Sequence, residues 1–216
     1  MKKRTLVIGA ARSGVAVTEL LLNHGEAVVL TDTRASGIVL KEFPQILDYE
    51  KNADFESIFG IQPSPEILKV IDEVVVSPGV PLIIPIIQAA YEQGIPVTGE
   101  VEAAYRLTRT PFIAITGTNG KTTTTTLLGE IFKASGRGTY VVGNIGDPIT
   151  NYVDSATEDE VFITEISSFQ LETIHTFRPR AAAILNLTPD HLDRHLTMEN
   201  YVNAKGRIFE NQTAED

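Results

Sequence analysis

The chain has 216 residues, 43% hydrophobic and 21% charged, enough to bury one or two cores. Lys and Arg total 18 against 28 Asp and Glu, a net charge of −10. The acid excess is the same in residues 1–107 and 108–216. No basic patch stands out, so nucleic acid and anionic membrane surfaces are poor partners. The absence of cysteine excludes disulfides, thiolate metal sites and cysteine nucleophiles.

The opening MKKRTLVIGA is charged and then apolar, but the apolar stretch is too short for a signal peptide and breaks at Arg12. No run approaches the ~18 apolar residues of a membrane helix. A cytoplasmic protein is expected. Leu6–Ile8 reads as a strand, Gly14–Asn23 as a helix and Val28–Leu30 as a second strand, one βαβ unit. Residues 35–70 give no clear pattern. Val74–Val76 is a buried strand stopped by Ser77-Pro78-Gly79. The pattern predicts a helix over Ile83–Gln93 despite Pro85, with Gly94 at its C-terminus. Ile95-Pro96-Val97 predicts a short edge strand, because proline cannot donate to a ladder. Glu100–Leu107 predicts a helix.

Thr108-Arg109-Thr110-Pro111 is polar and ends in proline, which sets the expected boundary between domains 1–108 and 109–216. Phe112–Ile115, Tyr140–Val142, Val161–Ile163 and Ala182–Leu185 then read as strands. Lys121–Ala134 and Asn200–Asn211 read as helices. Strands alternating with helices imply an α/β fold of parallel sheets with helices on both faces. The expected architecture is a Rossmann-like N-terminal domain followed by a P-loop-type domain of about four strands, fewer than a typical sheet has.

Three constellations carry chemistry. In the first, a strand runs into Gly117-Thr118-Asn119-Gly120-Lys121-Thr122-Thr123 and then a helix. Backbone N–H groups and a helix N-terminus converge on phosphate in such a turn. Lys121 would bridge the outer phosphates and the Thr122 hydroxyl would ligate Mg²⁺. The strict P-loop pattern fails, because Ile115 stands where its first glycine belongs.

The second constellation is Gly9-Ala10-Ala11-Arg12-Ser13-Gly14, with Asp32 ending the next strand. It resembles a dinucleotide fingerprint, except that Ala11 replaces the middle glycine. An ordinary tight turn and a diphosphate site both fit it. The third is dispersed. Glu165 ends a strand, where an acid holds Mg²⁺ in P-loop architectures. His191 follows another strand, and Lys205 lies mid-helix, where the default is a solvent-facing lysine. His24, His175 and His195 have no motif around them and read as structural.

Taken together, Gly117–Thr123, Gly143-Asn144-Ile145-Gly146, Glu165–Glu172, Asn186–Asp193 and Tyr201–Lys205 resemble the Mur ligases of peptidoglycan synthesis over essentially the whole chain. Ser77–Pro81 and Gly99–Glu102 resemble the branch that joins D-glutamate to UDP-N-acetylmuramoyl-L-alanine. The resemblance implies ATP, two Mg²⁺ ions and an acyl phosphate. It places the diphosphate on Arg12 and Ser13, and the uridine end near Asp32, Thr33 and Arg34. Gly79, Asn144, Ser167 and Gln170 would meet the sugar and lactoyl part. Thr122 and Glu165 would hold one ion, and His191 with a carbamylated Lys205 the other. Lys121, Glu165, His191 and Lys205 form the implied catalytic set, in a monomer. The family carries a C-terminal domain that has no counterpart here, so the expectation is a fragment with little ligase activity alone. An NAD-linked oxidoreductase, a non-catalytic nucleotide-binding module and a folylpolyglutamate-type or other amino-acid ligase are the alternatives.

Overall fold

A computed structural model describes residues 2–216. The chain divides into two compact units, 1–103 and 104–216.

The first unit runs β1 (Arg4–Ile8), α1 (Arg12–Asn23), β2 (Ala27–Asp32), α2 (Ser36–Glu42), α3 (Ile46–Tyr49), β3 (Phe55–Phe59), a 3₁₀ turn (Pro65–Val70), β4 (Glu73–Val76), α4 (Pro85–Glu92), β5 (Val97–Gly99) and the start of α5 (Glu100–Leu107). Its five strands are all parallel in the order β3-β2-β1-β4-β5. β1, β2 and β4 are apolar on both faces, as an internal parallel strand requires. Leu6, Val29, Val74, Val76, Ile86 and Ile87 pack into the core beside them. β5 lies at the sheet edge as expected, but it runs Val97–Gly99 rather than 95–97, so Pro96 precedes it. The expected helix over 83–93 begins at Pro85, in the first turn, where its missing N–H costs nothing. Gly94, at φ +69°, ends that helix as expected.

Residues 35–70, unreadable as sequence, hold two short helices and the edge strand β3. β3 (FESIF) is only partly buried, and Glu56-Ser57 interrupts it, so it lacks the apolar run that marks its neighbours.

The second unit runs β6 (Phe112–Thr116), α6 (Lys121–Ala134), β7 (Thr139–Gly143), a 3₁₀ turn (Ile149–Tyr152), β8 (Val161–Glu165), α7 (Ser168–Leu171), β9 (Ala181–Ile184), α8 (Leu192–His195) and α9 (Met198–Gly206). Its four strands are parallel in the order β7-β8-β6-β9. Tyr105, from the last turn of α5, packs edge-on against Phe112 and Phe177 at 5.9 and 5.4 Å. That ring pair ties the last turn of α5 to the second core. The helix expected over 200–211 is shorter. Thr197 caps it by accepting the Asn200 N–H at 3.1 Å, and after Gly206 it tightens into a 3₁₀ turn. Among the described residues no helix is long and apolar enough to cross a membrane.

Candidate phosphate sites

In each parallel sheet the chain reverses its winding beside the first strand. Ligands bind where the C-terminal strand ends open a crevice at such a point. The first unit holds a cavity of about 260 Å³ there, lined by Gly9 of β1's end, Asp32 and Thr33 of β2's end, and Gly79 and Val80 after β4. Of the residues expected to meet uridine, Asp32 and Thr33 line it. Arg34 folds back instead. Its guanidinium donates to the Ala10 carbonyl at 2.7 Å, to Asp32 at 2.9 and 3.0 Å and to Glu42 at 2.7 Å.

Asp32 also accepts the Ala10 and Arg34 N–H groups, each at 2.8 Å. Burial pushes its carboxyl up, but the bonds from Arg34 and Ala10 outweigh burial and hold it below the usual carboxylate range. All four lone-pair positions of this carboxylate are therefore taken, which leaves none for a ribose hydroxyl. The turn above it is closed by glycine. A Cβ on Gly14 would lie 1.9 Å from the Gly9 carbonyl oxygen, and Gly9 itself sits at φ +98° against Ser77. Ser77 completes the closure by donating to that same carbonyl at 2.7 Å. Arg12 and Ser13 open α1, with Ala11 in unstrained extended backbone as its N-cap. Their N–H groups belong to the turn that points at any bound anion.

The second unit builds its site on the turn from β6 to α6. Gly120, in left-handed backbone at φ +81°, starts the helix, and Lys121 is its first residue. The Lys121 ammonium donates to the Thr118 carbonyl at 2.9 Å. Thr122 donates to Glu165 at 2.8 Å, and Asn144 donates to the other oxygen of the same carboxylate at 2.9 Å. Gly143 permits this: its φ is +104°, and a Cβ there would lie 2.3 Å from the Glu165 carbonyl. The hydroxyl and the carboxylate are adjacent hard oxygen donors, the set a divalent cation of the Mg²⁺ class takes. Thr123 is exposed on the first turn of α6.

Lys205 is not solvent-facing. It is 2% exposed and donates to Thr116 at 3.1 Å, with its ammonium 5.0 Å from the Tyr201 ring centre. Burial, assisted by the Lys121 charge, pushes it down to about 8, against the pull of Asp190 and Glu165. Buried Tyr201 lies one turn before it on the same face. His191 sits on the loop before α8 in left-handed backbone at φ +51°, half-exposed, 3.5 Å from Asp190 and 4.9 Å from the Phe169 ring. Among the described residues no group of three His, Asp or Glu gathers as a metal cage.

Ser167 and Gln170 form a reciprocal capping box on α7, with bonds of 2.9 and 3.3 Å. Gln170 is buried, with its side-chain oxygen on that cap. His195, read as structural, is 5% exposed, bonded to Ser168 at 2.9 Å and 3.4 Å from Glu172. Burial pushes its imidazole down. Three residues absent from the expected set also touch the phosphate loop: Asn186, Thr188 and Tyr201. Their positions inside the Asn186–Asp193 and Tyr201–Lys205 segments were the only signal. Tyr201 lies four residues before Lys205, on the same helical face.

The description "Mur ligase MurD-like, N-terminal domain" matches residues 3–99, and "Mur ligase middle domain" matches residues 115–216. A UDP-N-acetylmuramoylalanine–D-glutamate ligase of Pelotomaculum thermopropionicum is 51% identical over 98% of this chain and 45% of its own length. That of Clostridioides difficile is 48% identical over 99% and 47%. The chain thus spans about half the length of the curated relatives it matches. Two solved structures share the fold. The UDP-N-acetylmuramate:L-alanyl-gamma-D-glutamyl-meso-diaminopimelate ligase from Neisseria meningitides aligns at TM-score 0.60 and 16% identity, over all of this chain and 70% of that one. The UDP-N-acetylmuramate-alanine ligase MurC from Thermotoga maritima aligns at 0.54 and 20%, over 98% and 47%. With both units matched in order by this family's domains, and about half of all positions identical to its members, the chain belongs to the Mur ligase family.

Proposed function

We propose that the two units bind the substrates of a ligase that joins D-glutamate to UDP-N-acetylmuramoyl-L-alanine, at the expense of ATP. We take the domain boundary at residues 108 and 109, five residues after the break between the compact units. The first unit takes the nucleotide-linked acceptor. Its cavity receives the uridine end, bounded by Asp32, Thr33 and Gly79, and the start of α1 at Arg12 and Ser13 meets the diphosphate. The second unit takes ATP on Gly117–Thr123. Asn144 and Ser167 face the sugar and lactoyl part. The chain acts as a monomer in the cytoplasm.

The observation that carries this reading is Glu165. Its carboxylate stands at a strand end, fixed from both sides by Thr122 and Asn144, beside a lysine at the mouth of a glycine loop. Phosphoryl transfer asks mainly for charge neutralisation and alignment, and this arrangement supplies both. Thr122 and Glu165 would hold Mg²⁺ there, which would supply charge neutralisation for the phosphates. Lys121 supplies a second positive charge. The γ-phosphoryl passes to the alanyl carboxylate, and the D-glutamate amine then displaces phosphate to form the amide. Lys205 fits a second ion only as a carbamate, because an ammonium repels a cation. Its low value favours the neutral amine that adds to CO₂, with release of one proton. His191 supplies a nitrogen ligand from the neighbouring loop.

The test is thermal unfolding of this chain with UDP-N-acetylmuramoyl-L-alanine, UDP, Mg–ATP or NAD, with Lys121→Met beside the wild type. A ligand at ~100 times its Kd adds about 2.7 kcal/mol if it binds only the folded state. Stabilisation by the muramoyl nucleotide and UDP, and by Mg–ATP in the wild type only, supports the reading. Stabilisation by NAD alone overturns it.

A further inference from the structure

We infer that Asn186 and Tyr201 are positioning residues that hold the phosphate loop in its binding shape before nucleotide arrives. The inference rests on the nucleotide reading of that loop.

A glycine loop that must present N–H groups to phosphate loses conformational freedom when it does so. Here the ordering is supplied by the segment after β9. The Asn186 carboxamide pairs with both sides of the Asn119 peptide unit: its oxygen accepts the Asn119 N–H at 2.9 Å and its nitrogen donates to the Asn119 carbonyl at 2.9 Å. The side chain thus imitates a neighbouring strand. The Asn186 backbone carbonyl takes the Thr118 N–H at 3.0 Å.

Thr118 is locked in the same way. Its hydroxyl accepts the Thr188 N–H at 3.0 Å, lies 3.1 Å from the Thr188 carbonyl and 2.9 Å from the Tyr201 hydroxyl. One hydroxyl has one hydrogen and two lone pairs, so these three contacts use it fully. Tyr201 is 1% exposed, and its ring is held in the core of the unit. Gly117 lets the loop lie this close. Its φ is +145°, and a Cβ there would come within 3.2 Å of Leu185 and 3.3 Å of the Asn186 nitrogen.

One consequence concerns the ligands themselves. The Thr118 side chain and the Asn119 N–H are committed to the protein, so the amides of Gly120, Lys121 and Thr122 at the start of α6 are the ones that meet phosphate. Asn186 and Tyr201 act through the loop and do not touch the nucleotide.

The experiment compares wild type, Asn186→Ala and Tyr201→Phe by titration calorimetry with Mg–ATP and by amide hydrogen exchange of the free chain. The expected loss of Mg–ATP affinity is about tenfold for Asn186→Ala, which removes two bonds, and about threefold for Tyr201→Phe, which removes one. Exchange should rise at Thr118 and Asn119 while the amides of β6 and β9 keep their protection. A merely structural loosening would raise exchange through both strands, and that result overturns the inference. Equal Mg–ATP affinity in wild type and Asn186→Ala overturns it alone. No binding of Mg–ATP by the wild type overturns the nucleotide reading, and the inference with it.

Discussion

At the end of β1 the Ala10 peptide is held by charge: its N–H bonds to Asp32 at 2.8 Å and its carbonyl to Arg34 at 2.7 Å. At the end of β6 the Asn119 peptide is held by a neutral carboxamide, with both bonds to Asn186 at 2.9 Å. Each turn links a strand to a helix, and each is braced from the next strand end. What differs is the charge left over. In the first turn Arg34 is consumed by Asp32 and Glu42. The start of α1 offers its amides and carries Arg12, a set that suits holding a diphosphate. In the second turn the brace uses no charge. Lys121 rests on a carbonyl rather than a carboxylate, and Glu165 is held by a hydroxyl and an amide. That turn keeps a cation and an anion for chemistry. Two similar backbones are thus braced differently, the first through an ion pair and the second through a neutral carboxamide.

The largest effect that tests this contrast is steric. The first turn closes on itself through Gly14, whose Cβ would fall 1.9 Å from a backbone oxygen. No side chain can move aside, so Gly14→Ala should cost about 3 kcal/mol or more. In the second turn Gly120→Ala meets only the flexible end of Leu185 at 3.6 Å. There the cost is the left-handed backbone alone, about 1–2 kcal/mol. Urea unfolding of both variants measures the pair. Equal losses would mean that the two turns are closed by the same means, and the comparison would fail.

The second effect is electrostatic. Asp32→Asn keeps the shape of the first brace and removes its charge. With Arg34 a third exposed, the expected loss is about 1.5 kcal/mol, at the low end for bonds to charged groups. The acid dependence fixes the cause. The folded carboxyl lies below 3.8, so its contribution is complete above that value and is lost as pH falls through the folded value beneath it. Wild type should therefore lose stability more steeply than Asp32→Asn below about pH 4. Parallel curves in acid would show that the pair does not stabilise the turn. The neutral Asn186 brace has no such dependence.

How much of this was legible in the sequence follows from the same physics. β1, β2, β4, β6 and β8 are buried on both faces, so each shows as an apolar run. The glycine loop announces itself because left-handed backbone at Gly120 excludes most other residues. β3 escaped because this short edge strand is partly buried throughout and broken by Glu56-Ser57, so it shows neither a run nor a period. The environment of Lys205 escaped for a different reason. Its burial depends on Thr116, from a strand 89 positions away, and no local pattern encodes that contact. In the sequence Asn186 is only the first residue of the Asn186–Asp193 segment. A carboxamide looks like any loop residue until the peptide it pairs with is known.

The smallest expected effect sharpens the comparison most. Ala11 stands where a dinucleotide turn has its middle glycine, and Ala11→Gly restores that pattern. Ala11 has φ −91° and ψ −178°, so glycine relieves no strain. It makes a better N-cap than alanine but loosens the unfolded chain, two small terms of opposite sign. Stability should change by less than about 0.5 kcal/mol, and UDP affinity by less than about twofold. NAD should gain nothing. Room beside the pyrophosphate is only half of what a dinucleotide asks. The other half is an acid free to take the ribose hydroxyls, and Asp32 has already given its four positions to Ala10 and Arg34. If Ala11→Gly binds NAD by calorimetry, the side chain at position 11 was the barrier and the charge brace was not.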